Sequence, residues 1–158
     1  MTRTWLHDSS DAYSEREIPI LSAATVVVSS EAHGHAIAHA FDDDRGPGAR
    51  QWVAALPGDQ TLTIAFHHPQ TIRRVTLEVE EREAARTQEV QLCVSSDGGK
   101  TYRELRRQEF TFSPDGATWE CEDWVVEEFK VTHVKLVIKP DKGRMDFIAK
   151  LTSLVLAD

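Results

Sequence analysis

Cysteine is scarce in this chain, with only Cys93 and Cys121 among 158 residues. Two cysteines cannot supply the disulfide framework of a small secreted domain, so the fold must depend on a hydrophobic core. A single domain of this length can bury enough apolar surface for that purpose. Long apolar runs are also missing, both the roughly 20 residues of a membrane-spanning helix and the apolar segment of a secretory signal. We therefore expect a cytoplasmic protein without a membrane partner.

Catalytic and nucleotide-binding motifs are missing as well. The chain has no Gly-x-Ser-x-Gly, no His-Glu-x-x-His, no phosphate-binding loop and no Gly-x-Gly-x-x-Gly. Cys93 has no adjacent histidine to activate it as a nucleophile. Glu78 and Glu80 alternate with apolar residues, which predicts solvated carboxylates on the outer face of a strand. The sequence therefore predicts a protein that is not an enzyme.

Positive charge is in deficit. The 26 acidic residues outnumber the 18 lysines and arginines, which gives a formal net charge of −8 at pH 7. Such a surface repels the phosphate backbone of nucleic acids. We therefore do not expect a nucleic-acid partner. The sequence gives no indication of the oligomeric state.

Alternation of apolar and polar residues with a period of two dominates the chain. It is typical of strands with one buried and one solvated face, which are common in antiparallel sheets. The clearest strands are predicted at 61–66, 74–80, 90–95 and 134–139, and further ones at 24–28, 108–113, 122–127 and 151–156. Helix is scarce, with one turn predicted at 36–41 and part of 11–18 as the other candidate.

Turn-forming residues separate these strands. The sequence Asp-Gly-Gly-Lys at 97–100 predicts a hairpin, because glycine tolerates the positive φ of tight turns, and His-Pro at 68–69 predicts another turn. The polar segment 80–87 is interpreted as a solvated loop. About eight such strands predict an all-β fold, an antiparallel β-sandwich or jelly roll. We place this domain at residues 22–158, after an N-terminal strap or tail at 1–21.

Several segments then follow one another in a characteristic order. Ala-Phe-Asp-Asp-Asp precedes Trp52, TLTIAFHHPQTIRRVTLEV spans 61–79, QEVQLCVSSDGGKTYREL spans 88–105, and VTHVKLVIKP at 131–140 precedes AKLTSLVLA at 149–157. In this order and spacing they resemble the coagulation-factor type C (discoidin) domains of the galactose-binding-like superfamily. The resemblance implies a galactose-binding-like β-sandwich (jelly roll) whose loops bind a ligand at one end.

The resemblance also implies a structural Ca²⁺ ion, which oxygen ligands on a tight loop would hold. Asp42 and Asp44 match the ligand positions of the family. This chain departs from the pattern, because an aspartate replaces the central glycine and Ser153 or a neighbour stands where a closing glutamate is expected. The other interpretation is an acidic turn that pairs with Arg45 or Arg50. The sequence leaves both open.

For function, the resemblance favours a non-catalytic ligand-binding module with a carbohydrate ligand. We expect His35, Arg50, Arg86 and Trp119 to contact it, because guanidinium groups donate hydrogen bonds to hydroxyls and aromatic faces stack on sugar rings. The alternative is an intracellular protein-interaction module of the same fold, as in repair scaffolds and ubiquitin-ligase subunits. An accessory domain of a hydrolase is a third reading. The expected partner is thus a carbohydrate or a protein.

Overall fold

The computed structural model describes residues 16–158. Most of the strap or tail predicted at 1–21 therefore lies outside the described residues. The elements, in chain order, are α1 (Ile20–Ala23), β1 (Ala24–Val28), a 3₁₀ helix (Ile37–Phe41), β2 (Trp52–Val53), β3 (Gln60–Glu80), β4 (Arg86–Ser95), β5 (Arg103–Phe112), β6 (Trp119–Lys139), β7 (Lys150–Leu151) and β8 (Ser153–Ala157). No helix within residues 16–158 is long and apolar enough to cross a membrane.

Two long strands, β3 and β6, are shared by both layers of the fold. The first part of β3 pairs with β1 and with the end of β6, and β4 and β5 extend that layer in the order β1-β3-β6-β4-β5. The second part of β3 pairs with the start of β6 and with β8. All these pairs are antiparallel, and the buried side chains of both layers form one hydrophobic cluster. The predicted antiparallel β-sandwich is confirmed.

Both long strands bend where they pass from one layer to the other. The register of β3 against β6 shifts between Ala65 and Arg74, and Lys130 of β6 has a φ of 54°. Irregularities of this kind let one strand turn a corner between packed sheets. The turn predicted at His68-Pro69 is wrong, because both residues lie inside β3 at this bend. Pro69 has no backbone N–H to donate, and it is tolerated here because the hydrogen-bond ladder between β3 and β6 is interrupted at this point.

The core follows the predicted alternation. Leu62 and Ile64 from the first layer, and Leu77 and Val79 from the second, are fully buried. Trp52 is buried as well, and its indole Nε1 donates a hydrogen bond to the Ser30 carbonyl at 2.9 Å. Burying each aliphatic side chain of this size contributes about 1.5–3 kcal/mol, so the alternating strands supply most of the stabilisation.

The N-terminal residues within the described range pack along the second layer. The Ile18 amide donates to the Leu156 carbonyl at 2.8 Å, Glu17 forms a bridge with Ala157, and the side chains of Ile18 and Ile20 are buried. Residues 16–20 therefore cover one edge of β8.

Three loops meet at one end of the sandwich: 29–51 between β1 and β2, 81–85 between β3 and β4, and 140–149 between β6 and β7. Backbone hydrogen bonds tie two of these loops to the end of β2 and the residue after it. The Ala32 amide donates to the Val53 carbonyl at 2.8 Å, and the Ala54 amide donates to the Ala149 carbonyl at 3.0 Å. The rigid strands thus hold the loops in fixed positions, an arrangement common in binding domains.

Candidate functional site

A cleft of about 610 Å³ opens between these three loops, and we call it the loop cleft. Its lining residues are His35, Gln51, Val53, Ala54, Ala55, Glu81, Glu83, Ala84, Arg86, Asp146, Phe147, Ile148 and Lys150. A volume of this size accommodates a small ligand.

A buried charge network forms the floor of the loop cleft. The Arg86 side chain is 0% exposed, and its Nη1 donates to the carbonyls of Pro140 at 3.1 Å and Ile148 at 2.6 Å. Its Nη2 lies 2.7 Å from Glu81 Oε1, and Lys150 Nζ donates to Glu81 Oε2 at 3.0 Å. One carboxylate and two cations therefore tie the end of β3, the start of β4 and loop 140–149 to one another.

The network keeps its charges despite burial. Desolvation by itself would raise the pKa of Glu81, but hydrogen bonds from the Glu83 amide and from Lys150, together with the charge of Arg86, hold that pKa below its ordinary value. Desolvation lowers the pKa of Arg86, and the attraction of Glu81 and Asp141 opposes the shift. Arg86 Nε has no hydrogen-bond partner among the described residues. Glu81 is therefore an ionised structural carboxylate at neutral pH.

The walls of the loop cleft present groups that a ligand can reach. His35 is exposed, and its backbone accepts a hydrogen bond from the Val53 amide at 3.3 Å. Phe147 is half-buried, and its carbonyl accepts a hydrogen bond from the Gly58 amide at 3.2 Å. The guanidinium of Arg144 lies 5.2 Å from the centre of the Phe147 ring, within cation–π range. An imidazole and an aromatic ring thus line the same cleft as the buried charge network.

Sequence reasoning missed Phe147. The signal was a lone aromatic residue in the polar segment DKGRMDFIA at 141–149, which is otherwise short of large apolar residues. An aromatic side chain on a loop of a rigid β-sandwich is a candidate for ring stacking. The segment has no alternation of apolar and polar residues, so the sequence did not predict a strand or a site there.

Two of the four predicted ligand residues lie in the loop cleft and two do not. The structure brings His35 and Arg86 together, although Arg86 is buried in the floor. Arg50 does not line the cleft, since it pairs with the acidic loop. Trp119 is the first residue of β6, half-buried opposite Glu80, rather than a loop residue.

Arg50 pairs with two carboxylates of the acidic loop in this structure. Arg50 Nη2 donates to Asp42 Oδ2 at 2.9 Å, and the Arg50 amide donates to Asp44 Oδ2 at 2.9 Å. The Asp44 amide donates to Asp42 Oδ1 at 3.0 Å. Across residues 16–158 no group of three or more His, Cys, Asp or Glu side chains is placed to hold a metal ion. This arrangement does not fit Ca²⁺ unless Arg50 moves away, and calcium binding at Asp42 and Asp44 stays a prediction.

Carboxylates of β3 hold the rest of the same loop. Glu78 Oε1 accepts a hydrogen bond from the Gly46 amide at 2.7 Å, and Glu80 Oε1 accepts one from the Gly48 amide at 3.0 Å. Both glycines have positive φ, 89° and 87°, a conformation that favours glycine. The prediction that Glu78 and Glu80 are solvated is wrong, because they are only 8% and 6% exposed under this loop.

A second concavity of about 430 Å³ lies between residues 17–22, the segment 41–45 and β8, and we call it the N-terminal groove. Its charged side chains are Glu17, Asp43 and Arg45, and Arg45 Nη2 donates to Glu17 Oε1 at 2.8 Å. None of the predicted ligand residues lines it.

Comparison with known proteins identifies the family. The model of the F5/8 type C domain matches residues 25–149, most of the chain, and the chain therefore belongs to this family. The resemblance noted in the sequence is thus confirmed. A search of curated protein sequences found no significant match.

Solved structures with the same fold include carbohydrate-binding modules. A pectin-binding module is 18% identical, with 86% of this chain and 91% of that chain covered and a TM-score of 0.60. A family 32 module from Clostridium perfringens in complex with galactose is 12% identical, with 90% and 98% covered and a TM-score of 0.61. A Ruminococcus gnavus fucosidase in complex with fucose is 11% identical, with 94% of this chain but 28% of that chain covered and a TM-score of 0.67. These similarities show the fold.

The pairing of Arg50 with the acidic loop makes a prediction about calcium. We expect millimolar Ca²⁺ to leave the melting temperature of the domain unchanged, because a ligand stabilises only a folded state that binds it and both carboxylates already contact Arg50. Differential scanning fluorimetry with Ca²⁺ and with Mg²⁺ measures this. A rise with Ca²⁺ in the wild type that disappears in Asp44→Asn would contradict the expectation.

The buried network makes a prediction about acid stability. Because the folded-state pKa of Glu81 is below its unfolded value, its ionised form stabilises the fold above the ordinary glutamate pKa of about 4.3, and this contribution is lost as the pH falls. We expect Glu81→Gln to lower the free energy of unfolding by about 3 kcal/mol at pH 7, because Arg86 loses its partner. The difference from wild type should shrink below pH 4 in urea titrations. Parallel curves from pH 7 to pH 3 would contradict the assignment.

Proposed function

We propose that this chain is a non-catalytic carbohydrate-binding module and that the loop cleft binds the saccharide. The observation that carries the proposal is that an exposed histidine and a half-buried phenylalanine, His35 and Phe147, line the same cleft as a buried network of charged groups. Carbohydrate-binding modules of the same fold, solved in complex with galactose and with GalNAc-β-1,3-galactose, support the ligand class.

The binding contacts follow from the chemistry of the two walls. A sugar ring presents C–H groups on one face and hydroxyls at its edge, so it suits an aromatic surface next to polar groups. The Phe147 ring supplies the apolar surface, and the imidazole of His35 supplies a hydrogen-bond donor or acceptor for a hydroxyl. The half-buried amide of Gln51 adds polar capacity on the same lining.

The buried network supports a binding role rather than a catalytic one. A glycosidase requires a pair of carboxyl groups, one of which donates a proton and therefore has a raised pKa. In the loop cleft Arg86 and Lys150 help to hold Glu81 ionised, so its pKa is lowered rather than raised. The protein-interaction alternative receives no comparable support from the saccharide-bound relatives.

Two substitutions in the cleft walls test the proposal. We expect Phe147→Ala and His35→Ala to weaken saccharide binding by about fivefold to tenfold each, since a stacked ring and a hydrogen bond are each worth about 1 kcal/mol. The ligand would first be identified on a glycan array, and isothermal titration calorimetry would then measure the affinity of each variant.

Matched controls come from exposed residues of the same types. Phe129 and His68 are exposed and do not line the loop cleft, so Phe129→Ala and His68→Ala should bind the saccharide like the wild type. Arg50→Ala should do the same, because Arg50 pairs with the acidic loop. Equal losses in the wall variants and the control variants, or no saccharide binding at all, would overturn the proposal.

A further inference from the structure

The cations around the loop cleft are already committed to protein anions. Arg86 is 0% exposed and contacts Glu81, and Lys150 is 19% exposed and donates to the same carboxylate. At the rim, Arg144 donates to Asp146 through Nε at 3.2 Å and Nη2 at 2.9 Å. Each of these cations therefore already contacts a protein carboxylate, and the two in the floor are largely shielded from solvent.

One carboxylate of the lining, in contrast, is not paired. Glu83 is exposed, and its side chain makes no hydrogen bond or ion pair with any residue from 16 to 158. Its backbone is fixed, because the Glu83 amide donates to Glu81 Oε2 at 3.0 Å. The free negative charge of Glu83 is therefore held at the edge of the loop cleft by the buried network.

The exposure of the charges in the lining points the same way. Apart from His35, the ionised lining residues are three carboxylates, Glu81, Glu83 and Asp146, and two cations, Arg86 and Lys150. Arg144 at the rim offsets Asp146, and Arg86 and Lys150 together carry one positive charge more than Glu81, so the formal charges sum to zero. The two cations of the floor are only 0% and 19% exposed, whereas Glu83 is exposed, so the unpaired charge that a ligand meets first is negative. The domain as a whole carries a formal charge of −8, so the surrounding field adds to the local repulsion of an anion.

We propose that Glu83 makes the loop cleft selective for uncharged saccharides and excludes those that carry a carboxylate, such as uronic acids. This inference rests on the proposed saccharide-binding function of the same cleft. A hydroxyl can donate a hydrogen bond to Glu83, whereas a ligand carboxylate meets a like charge and finds no available cation. Carboxylate recognition by arginine uses two parallel N–H bonds, and the buried fork of Arg86 does not offer them to solvent.

The competing route for an anion runs through Arg144. This side chain is 65% exposed and lies over the Phe147 ring, so a uronate could approach it from solvent. Such a ligand would have to displace Asp146, which then would add a second free carboxylate beside Glu83. Replacing Asp146 by the uronate at Arg144 therefore forms one ion pair and breaks another, so it does not favour binding of the anion.

Matched sugars that differ only at carbon 6 provide the test. The probes are galactose with galacturonate, glucose with glucuronate and mannose with mannuronate, together with the uncharged methyl ester of each uronate. Two charges at a partly solvated separation of several ångströms repel by about 1 kcal/mol, so each uronate should bind roughly fivefold to tenfold more weakly than its neutral counterparts. The methyl esters separate charge from size, and the difference should shrink at high salt.

Two charge-removing variants locate the effect. Glu83→Gln should bind the uronates at least about threefold more tightly than the wild type and leave the affinity for the neutral sugars within about twofold. Glu127→Gln removes the same charge from an exposed residue of β6 that does not line the cleft, and it should keep the wild-type selectivity.

Each outcome bears on one of the two proposals. Uronates that bind as well as the neutral sugars, or a selectivity that Glu83→Gln leaves unchanged, would overturn the charge selectivity while saccharide binding stands. Tight uronate binding that Arg144→Ala removes would overturn it in favour of the arginine route. No binding of any of the nine probes would overturn the saccharide-binding function, and the selectivity with it.

Discussion

The loop cleft depends on the interaction between Arg86 and Glu81. This one ion pair is buried beneath three loops, and the hydrogen bonds of Arg86 to the Pro140 and Ile148 carbonyls fix the segment that carries Phe147. Removing two charges from water is costly, and the cost is offset only where additional hydrogen bonds satisfy both groups. Lys150 and the Glu83 amide provide them on the side of Glu81. A rigid site is therefore built from ionised groups that are themselves unavailable to a ligand.

The sandwich supplies the frame for this interaction. β3 ends at the residue before Glu81, and β4 begins at Arg86, so the two partners face each other across a short loop and are placed by strands that belong to the hydrophobic core. The acidic loop is held to β3 by uncharged donors instead: carboxylates of β3 accept hydrogen bonds from the backbone amides of its glycine-rich segment. In both places buried glutamates hold loops, and the exposed His35 and the half-buried Phe147 are left to contact a ligand.

The sequence predicted the strands well because alternation is a local signal. β1 has the predicted bounds, 24–28, and the strands predicted at 61–66 and 74–80 are both present. Their continuity through His68 could not be predicted, because proline usually marks a turn and the alternation loses its phase at the bend. The burial of Glu78 could not be predicted either, because the loop that covers it is distant in sequence: Gly46, which donates to its carboxylate, is 32 residues away. His35 and Arg86 were proposed from family resemblance, and Arg50 was correctly named as a partner for the acidic turn in one of the two interpretations left open.

The central claim is that a saccharide binds between loops 29–51, 81–85 and 140–149. Titration of isotope-labelled domain with galactose, followed by amide chemical shifts in nuclear magnetic resonance spectra, tests it most directly. If the saccharide binds in the loop cleft, shift changes should concentrate at His35, Ala84 and Phe147 and at their neighbours in these loops. Changes that concentrate instead at Ile18, Ile20 and the rest of the N-terminal groove would contradict it.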